Sequence, residues 1–587
     1  MLAVVSIAAC GRGGAESGGP DKDHATSGLS GRGPNNTRAT DSSRWFTDGT
    51  ESSGVRMTHF NGMAGDFLYP EVMAPGVALF DYDNDGDLDL FVPQGRMLGT
   101  KTIEQALVKP EQPLRGRLFR NDLVTGGPDK LRPTDAVRFT DVTEASGIRQ
   151  TSYGMGAAAG DFNNDGCVDL YVTALGSNQL FKNNCNGTFT DVTASTRTAD
   201  PGWSVSAAFV DIDRDGWLDL FVGHYVRYRV ATNIRCYSVT GLTDYCPPNV
   251  YRAEPSHLFR NNRNGTFTDI TAKAGLSAEY GATLGVSTAD FNGDGWIDIH
   301  VSNDSTPNQL WINQKNGTFV NTAALAGTAV SPEGEAKASM GVDAGDFDND
   351  GDEDMFIGEL LGQGADMYVN DGTGTFSEDS ARTGLRAPSL AVTTFGAGWL
   401  DVDNDGWLDI VTVNGAVTHA VEALARKEHF ALQQKRQLFH NLGTGRFEDA
   451  SARAGNAFAI AEVGRGLAVG DLDNDGDTDL VVGNDAGPVR VLVNSIGNQQ
   501  HWAGIRLVDK SGRDALGARV TLKRADGRTL VRRTRADGSY ASANDPRVLI
   551  GLGSAAAPAS IDVLWPDGTT SMHSVPADRY TTIKQGS

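Results

Sequence analysis

One nine-residue acidic block, Asp-x-Asp/Asn-x-Asp-Gly-x-x-Asp, recurs seven times in this 587-residue chain and constrains its fold more than any other feature. The copies supply Asp81, Asp83, Asp85 and Asp89; Asp161, Asn163, Asp165 and Asp169; Asp211, Asp213, Asp215 and Asp219; and Asp290, Asn292, Asp294 and Asp298. They continue with Asp346, Asp348, Asp350 and Asp354; Asp401, Asp403, Asp405 and Asp409; and Asp471, Asp473, Asp475 and Asp479. A block returning every 50 to 80 residues marks a repeat architecture, in which units share one core.

Each unit surrounds its block with short apolar runs. Gly76–Phe80 precedes the first block and Leu88–Val92 follows it. A Leu-Phe-x-Asn segment comes next, as at Leu118, Leu258 and Leu438, and then Phe-Thr-Asp or a relative, at Phe139, Phe189, Phe267, Phe319, Phe376 and Phe447. An Asn-Gly pair often separates these last two, a tight-hairpin signal. Four strands per unit, repeated around an axis, predict an all-β fold with a seven-bladed β-propeller over residues 45–497. Phe46-Thr47-Asp48 stands before the first block, and only two strands follow the last one. Pairing the two incomplete ends closes the ring and leaves no open sheet edge.

The block reads as a calcium loop. Oxygen donors at positions 1, 3, 5 and 9, a backbone carbonyl near position 7 and Gly at position 6 suit a hard cation that takes six to eight oxygens. The spacing resembles the first half of an EF-hand loop, but strands flank it and no Glu stands at position 12. Up to seven Ca²⁺ are expected; the smaller octahedral shell of Mg²⁺ fits less well. Like charges packed in one turn repel one another strongly without a cation. The net charge of −23 is therefore concentrated rather than scattered, and it argues against a nucleic-acid partner.

The chain opens on an apolar run ending Ile7-Ala8-Ala9-Cys10, the pattern of a secretory signal and of a bacterial lipobox, although no Lys or Arg precedes it. Residues 1–10 are read as the signal, Cys10 as the lipidation site and the polar stretch 11–44 as a flexible tether. Export to the bacterial cell envelope or beyond follows, with membrane attachment only through that lipid. Cys167 and Cys185 lie in two turns at the same end of one blade, and Cys236 and Cys246 share one insertion, so two disulfides are expected.

Long insertions follow the second strand, at residues 94–116, 224–256 and 415–436, and the last has helical character with His419 and His429. They would lie on the face opposite the acidic loops, together with the polar residues His224, Asn303, Asp304, Glu359, Asn414, Asn484 and Asp485. These form a candidate ligand rim at the channel mouth, or ordinary turn residues.

From residue 501 the chain holds thirteen Lys/Arg against eight Asp and no Glu, so this segment carries +5 and the rest −28. It predicts a small β domain (498–587) docked on the acidic propeller. The repeats resemble FG-GAP/VCBS repeats. The segments Gly512–Val520, Gly551-Leu-Gly553 and Val563-Leu-Trp-Pro-Asp-Gly568 resemble an ASPIC/UnbV domain. Together they resemble the cartilage acidic protein family and its bacterial relatives. The resemblance implies an integrin-like propeller, calcium loops and an extracellular setting, and no established reaction. No Ser–His–Asp order or phosphate loop stands out, so a non-catalytic binding, adhesion or surface-assembly module with a protein or glycan ligand is expected. The alternative is a calcium-stabilised extracellular polysaccharide lyase or hydrolase with its site at the mouth opposite the loops.

Overall fold

The computed structural model describes residues 44–123, 137–419, 431–524, 527–556 and 559–586. Cys10, the stretch 11–43 and residues 420–430, with His429, lie outside them. The fold is all-β. Apolar runs of four to nine residues bounded by Gly and Asp turns are too short for core helices, and strands satisfy their backbone groups by pairing with neighbours.

Seven four-stranded antiparallel units follow one another along the chain, the second and third joined into one eight-stranded sheet where Gly202 and Trp203 pair with Gly176 and Leu175. In the first, Ala78–Phe80, Asp89–Val92, Arg117–Asn121 and Phe139–Asp141 pair in sequence order. The third has the same order in Gly202–Val210, Asp219–His224, His257–Asn261 and Phe267–Asp269. The seventh is completed from the other end of the chain, since Phe46–Asp48 pairs antiparallel with Arg490–Asn494, Phe46 opposite Asn494. The first strand of each sheet packs against that of the next, and the seventh against the first, so the sheets form a closed cycle. The first two strands of each sheet are buried on both faces, and their alternating side chains fill apolar layers between neighbouring sheets, as Leu90, Leu79 and Val481 do between the first and seventh.

Residues from His501 onward form two smaller sheets. Val548–Gly553, His501–Val508 and Tyr580–Lys584 make one; Thr529–Arg533, Arg519–Lys523, Ala559–Leu564 and Thr570–Val575 make the other. They enclose their own core around Trp565, Ile505 and Leu522. This basic domain sits on the acidic loops, as its charge predicts. Arg524 donates to the Asp405 carbonyl at 2.8 Å, Arg547 to the Asp471 carbonyl at 2.8 Å and Tyr580 to Asp471 Oδ2 at 2.9 Å.

One loop of this domain fills the centre of the cycle, which the sequence reading did not anticipate. Leu79 N–H donates to the Ala543 carbonyl, Ala157 to Ala541, Val342 to Ser539, Val469 to Asn544 Oδ1 and Thr288 to Asp537 Oδ2. Ala541 N–H donates to Ser206 Oγ, and Tyr540 packs edge-on to Phe395, so all seven sheets touch the loop. Gly76 and Gly156 permit this approach: a Cβ there would lie 1.8 and 2.3 Å from the Ala541 oxygen. Tyr540 is wholly buried and donates to the Met73 carbonyl at 2.6 Å.

The two disulfides join Cys167 to Cys185 and Cys236 to Cys246, the expected pairs. Among the described residues no helix is long and apolar enough to cross a membrane.

Candidate functional site

Each acidic loop connects the first two strands of its sheet. In six of the seven loops, all but that of Asp346, the carboxylate at position 1 accepts the backbone N–H groups of positions 5 and 6, as Asp81 does from Asp85 and Gly86 at 3.1 Å. Position 6 has a left-handed backbone, φ +94° at Gly86 and +92° at Gly476, which only glycine adopts without strain. These bonds curl the turn so that the side chains of positions 1, 3 and 5 converge.

Position 9 works differently. Its aspartate is buried in all seven loops, and each carboxylate accepts two backbone N–H groups, from position 2 of its own loop and from the Asn of Leu-Phe-x-Asn. For Asp89 the donors are Tyr82 at 2.9 Å and Asn121 at 2.8 Å. The same pair of bonds recurs at Asp169, Asp219, Asp298, Asp354, Asp409 and Asp479.

That Asn also reaches the preceding sheet. Asn183 Nδ2 donates to the Tyr82 carbonyl, Asn261 to Phe162, Asn313 to Ile212, Asn370 to Phe291, Asn441 to Phe347 and Asn494 to Val402, and Asn121 completes the circuit on Leu472. All seven distances lie between 2.6 and 2.9 Å. A second set runs the other way from position 4: Asn84, Asn164, Asn349, Asn404 and Asn474 donate to the position-6 carbonyl of the next loop. At the third loop Arg214 takes that place and lies over the Trp296 ring at 4.5 Å. The loops are therefore fastened to one another around the cycle. Leu-Phe-x-Asn was visible in the sequence, but nothing local told that its amide would cross to a neighbour.

Buried atoms test whether a cation fits. In every loop with Asp at position 3, its Oδ1 is buried and without a hydrogen-bond partner: Asp83, Asp213, Asp348, Asp403 and Asp473; both oxygens of Asp346 share that state. Unpaired buried carboxylate oxygens are costly, and five of them at one repeat position fit a shared cation. Burial pushes Asp346 and Asp471 up to about 7, against the pull of Arg532 and Arg547, and burial with neighbouring carboxylates takes Asp473 to about 9. The residues present fit Ca²⁺, with the carboxylates of positions 1, 3 and 5 to hold it.

The seven candidate rim residues are all buried and do not line one open mouth. Asn303, Asn414 and Asn484 close the turn after strand two, each donating at 2.7 Å to a carbonyl of that connection, at Pro307, Lys435 and Pro488. Asp304 accepts from Tyr225 at 2.6 Å, and Tyr225 bonds Tyr69. Asp485 accepts from Asn61, and Glu359 from Ser339 at 2.7 Å. His224 lies apart from these, against Asp200 at 2.9 Å. His419 stacks on Tyr245 and bonds Asp244 at 2.8 Å, tying two insertions together. Cavities of about 300 and 290 Å³ lie between the C-terminal domain and the acidic loops.

The chain contains FG-GAP-like repeats, matched over residues 161–222, 249–301, 290–357 and 430–482, and a C-terminal ASPIC and UnbV domain over 508–587. Cartilage acidic protein 1 of Mus musculus is 29% identical to it over 325 residues, 54% of this chain and 46% of that protein. The Homo sapiens protein of that name is 27% identical over 324 residues, 54% and 45% of the two chains. The chain thus spans about half the length of the curated relatives it matches. Among solved structures, an Agrocybe aegerita lectin recognising non-reducing terminal N-acetylglucosamine aligns at 16% identity and TM-score 0.32, over 59% of this chain and 83% of that one. The rhamnogalacturonan lyase YesW aligns at 11% identity and TM-score 0.27, over 75% and 91%.

Proposed function

We propose that the chain is an exported, calcium-stabilised seven-bladed β-propeller that acts as a non-catalytic binding module for an extracellular protein or glycan. The closed cycle of seven sheets and the unpaired carboxylate oxygens support the propeller and its metal. Two disulfides and the likeness to cartilage acidic protein 1 fit an extracellular setting.

The observation that carries the binding reading is the asymmetry of the two faces. The C-terminal domain covers the loop face. The opposite face carries an insertion, closed by Cys236–Cys246, that exposes Ile234, Tyr237, Val239 and Leu242, with Val239 97% exposed. Apolar side chains held in solvent on one anchored loop are the usual make-up of a contact surface. Glycan and protein arrays probed with the full chain test this. Loss of the captured ligand on Tyr237→Ser/Val239→Ser, with an unchanged melting curve, supports the assignment. Capture unchanged by that variant, or cleavage of a polymer by the wild type, overturns it.

A further inference from the structure

The third sheet departs from the repeat at one place. In the fourth, sixth and seventh sheets the last residue of strand two is Asn303, Asn414 or Asn484, whose amide closes the following turn. In the third sheet that register position holds His224. The first residue of strand three is Gln179, Gln309 or Gln437 in the second, fourth and sixth sheets, and His257 in the third. Amides fill each of these places in three of the other six sheets and no imidazole fills either, so the fold does not need imidazoles there.

Both imidazoles turn toward one carboxylate. Asp200, in the connection entering the third sheet, receives His224 Nε2 at 2.9 Å on Oδ2 and His257 Nδ1 at 2.7 Å on Oδ1. The ring centroids are 4.5 Å apart, and three donor atoms of the cluster lie within 4.8 Å of one another. Asp200 and His224 are buried, whereas the His257 side chain is 26% exposed and opens the cluster to solvent. Ser204 Oγ stands 3.4 Å from His224 Nε2, and Glu254, held by Arg227 at 2.7 Å, adds negative field at His257. The cluster lies at the end of the sheet opposite the acidic loop.

We propose that Asp200, His224 and His257 form a binding site for one divalent transition-metal ion of the Zn²⁺ class, separate from the acidic loops. Two imidazoles and one carboxylate suit a borderline ion that prefers nitrogen to the all-oxygen shell of Ca²⁺. Donors around one such ion, bonded at about 2.0–2.2 Å, stand roughly 3.2–3.5 Å apart. The ion enters when the two rings draw back from Asp200 by about half an ångström to reach that spacing. The ring nitrogens that now donate to Asp200 then present lone pairs to the ion, and each displaced proton moves to the other ring nitrogen or to solvent. Coordination beyond the three ligands stays open toward His257's exposed edge, so the ion is accessible to water or to a ligand donor.

Co²⁺ titrated into the calcium-saturated full chain is the probe, because few-coordinate Co²⁺ with nitrogen ligands absorbs visibly. The double variant His224→Asn/His257→Gln restores the residues that the other sheets use, so it keeps the fold. Its melting midpoint in calcium serves as the check. The expected result is a saturable visible band at one equivalent in the wild type, displaced by Zn²⁺ and not by excess Ca²⁺, and absent from the double variant. Asp200→Asn should weaken Co²⁺ binding by roughly tenfold or more. No saturable band in the wild type, or a band of full strength in the double variant or in Asp200→Asn, overturns the assignment.

Discussion

Asn313→Ala tests whether the sheets are fastened to one another as the geometry requires. Asn313 is buried, and its Nδ2 donates to the Ile212 carbonyl of the preceding loop at 2.8 Å and to the Ile297 carbonyl at 3.2 Å. Its Oδ1 accepts from Lys315 N–H at 2.9 Å. Three hydrogen bonds at about 1 kcal/mol each, with about 1–2 kcal/mol for the buried carbonyl that loses its donor, give a loss of roughly 4–5 kcal/mol. At about 1 °C per kcal/mol for a chain of this size, the melting midpoint in calcium should fall by roughly 4–5 °C. The comparison is Asn262→Ala. That side chain is exposed and bonds only within its own hairpin, to Thr266 at 2.9 Å and Thr268 at 3.0 Å, so it should cost about 0.5 kcal/mol or less. Scanning calorimetry of both variants decides. Equal shifts would refute the claim that the repeated register of these amides holds neighbouring sheets together.

Three further outcomes follow from named contacts. In chelator, Asp346 and Asp471, raised by burial to about 7, hold protons that the unfolded chain releases near pH 4, so the folded state binds more protons across that window. Stability of the metal-free protein should therefore fall as pH rises from about 4 to 7, while the calcium-loaded protein, whose ligands must be ionised, should gain stability over the same range; melting curves with parallel slopes would contradict this. Tyr540→Ala removes a wholly buried ring and should cost about 3–5 kcal/mol. It should also speed proteolysis between residues 495 and 500, where the C-terminal domain joins, and an unchanged cleavage rate would show that the loop does not anchor the domain. Cys167→Ser/Cys185→Ser opens a link of sequence separation 18 and should lower stability by about 3 kcal/mol in urea, measured at fixed calcium; an unchanged midpoint would contradict it.

Much of this architecture could be read from the chain because repetition turns weak local signals into strong ones. A single Asp-x-Asp-x-Asp-Gly turn says little, but seven in register beside short apolar runs leave few folds open, and Phe46-Thr47-Asp48 told where the last sheet finds its fourth strand. The basic sum of the last segment likewise told that it would dock on the acidic propeller, though not on which face. What escaped was long-range. The amide of Asn183 bonds Tyr82, 101 residues away, and Tyr540 reaches Met73 across 467; neither partner is implied by anything near it in sequence. The far-face polar residues were legible as a group but not as chemistry, because the same register position holds a turn-closing amide at Asn414 and an imidazole at His224.

The most direct test of the central claim combines metal counting with melting. Native mass spectrometry of the full chain should find calcium at up to seven equivalents, one for each acidic loop, and excess chelator should lower the melting midpoint sharply. Fewer than about three bound Ca²⁺, where the ligand spacing calls for up to seven, together with a midpoint unmoved by chelator, would mean that the loops are acidic turns and that the ring stands without metal.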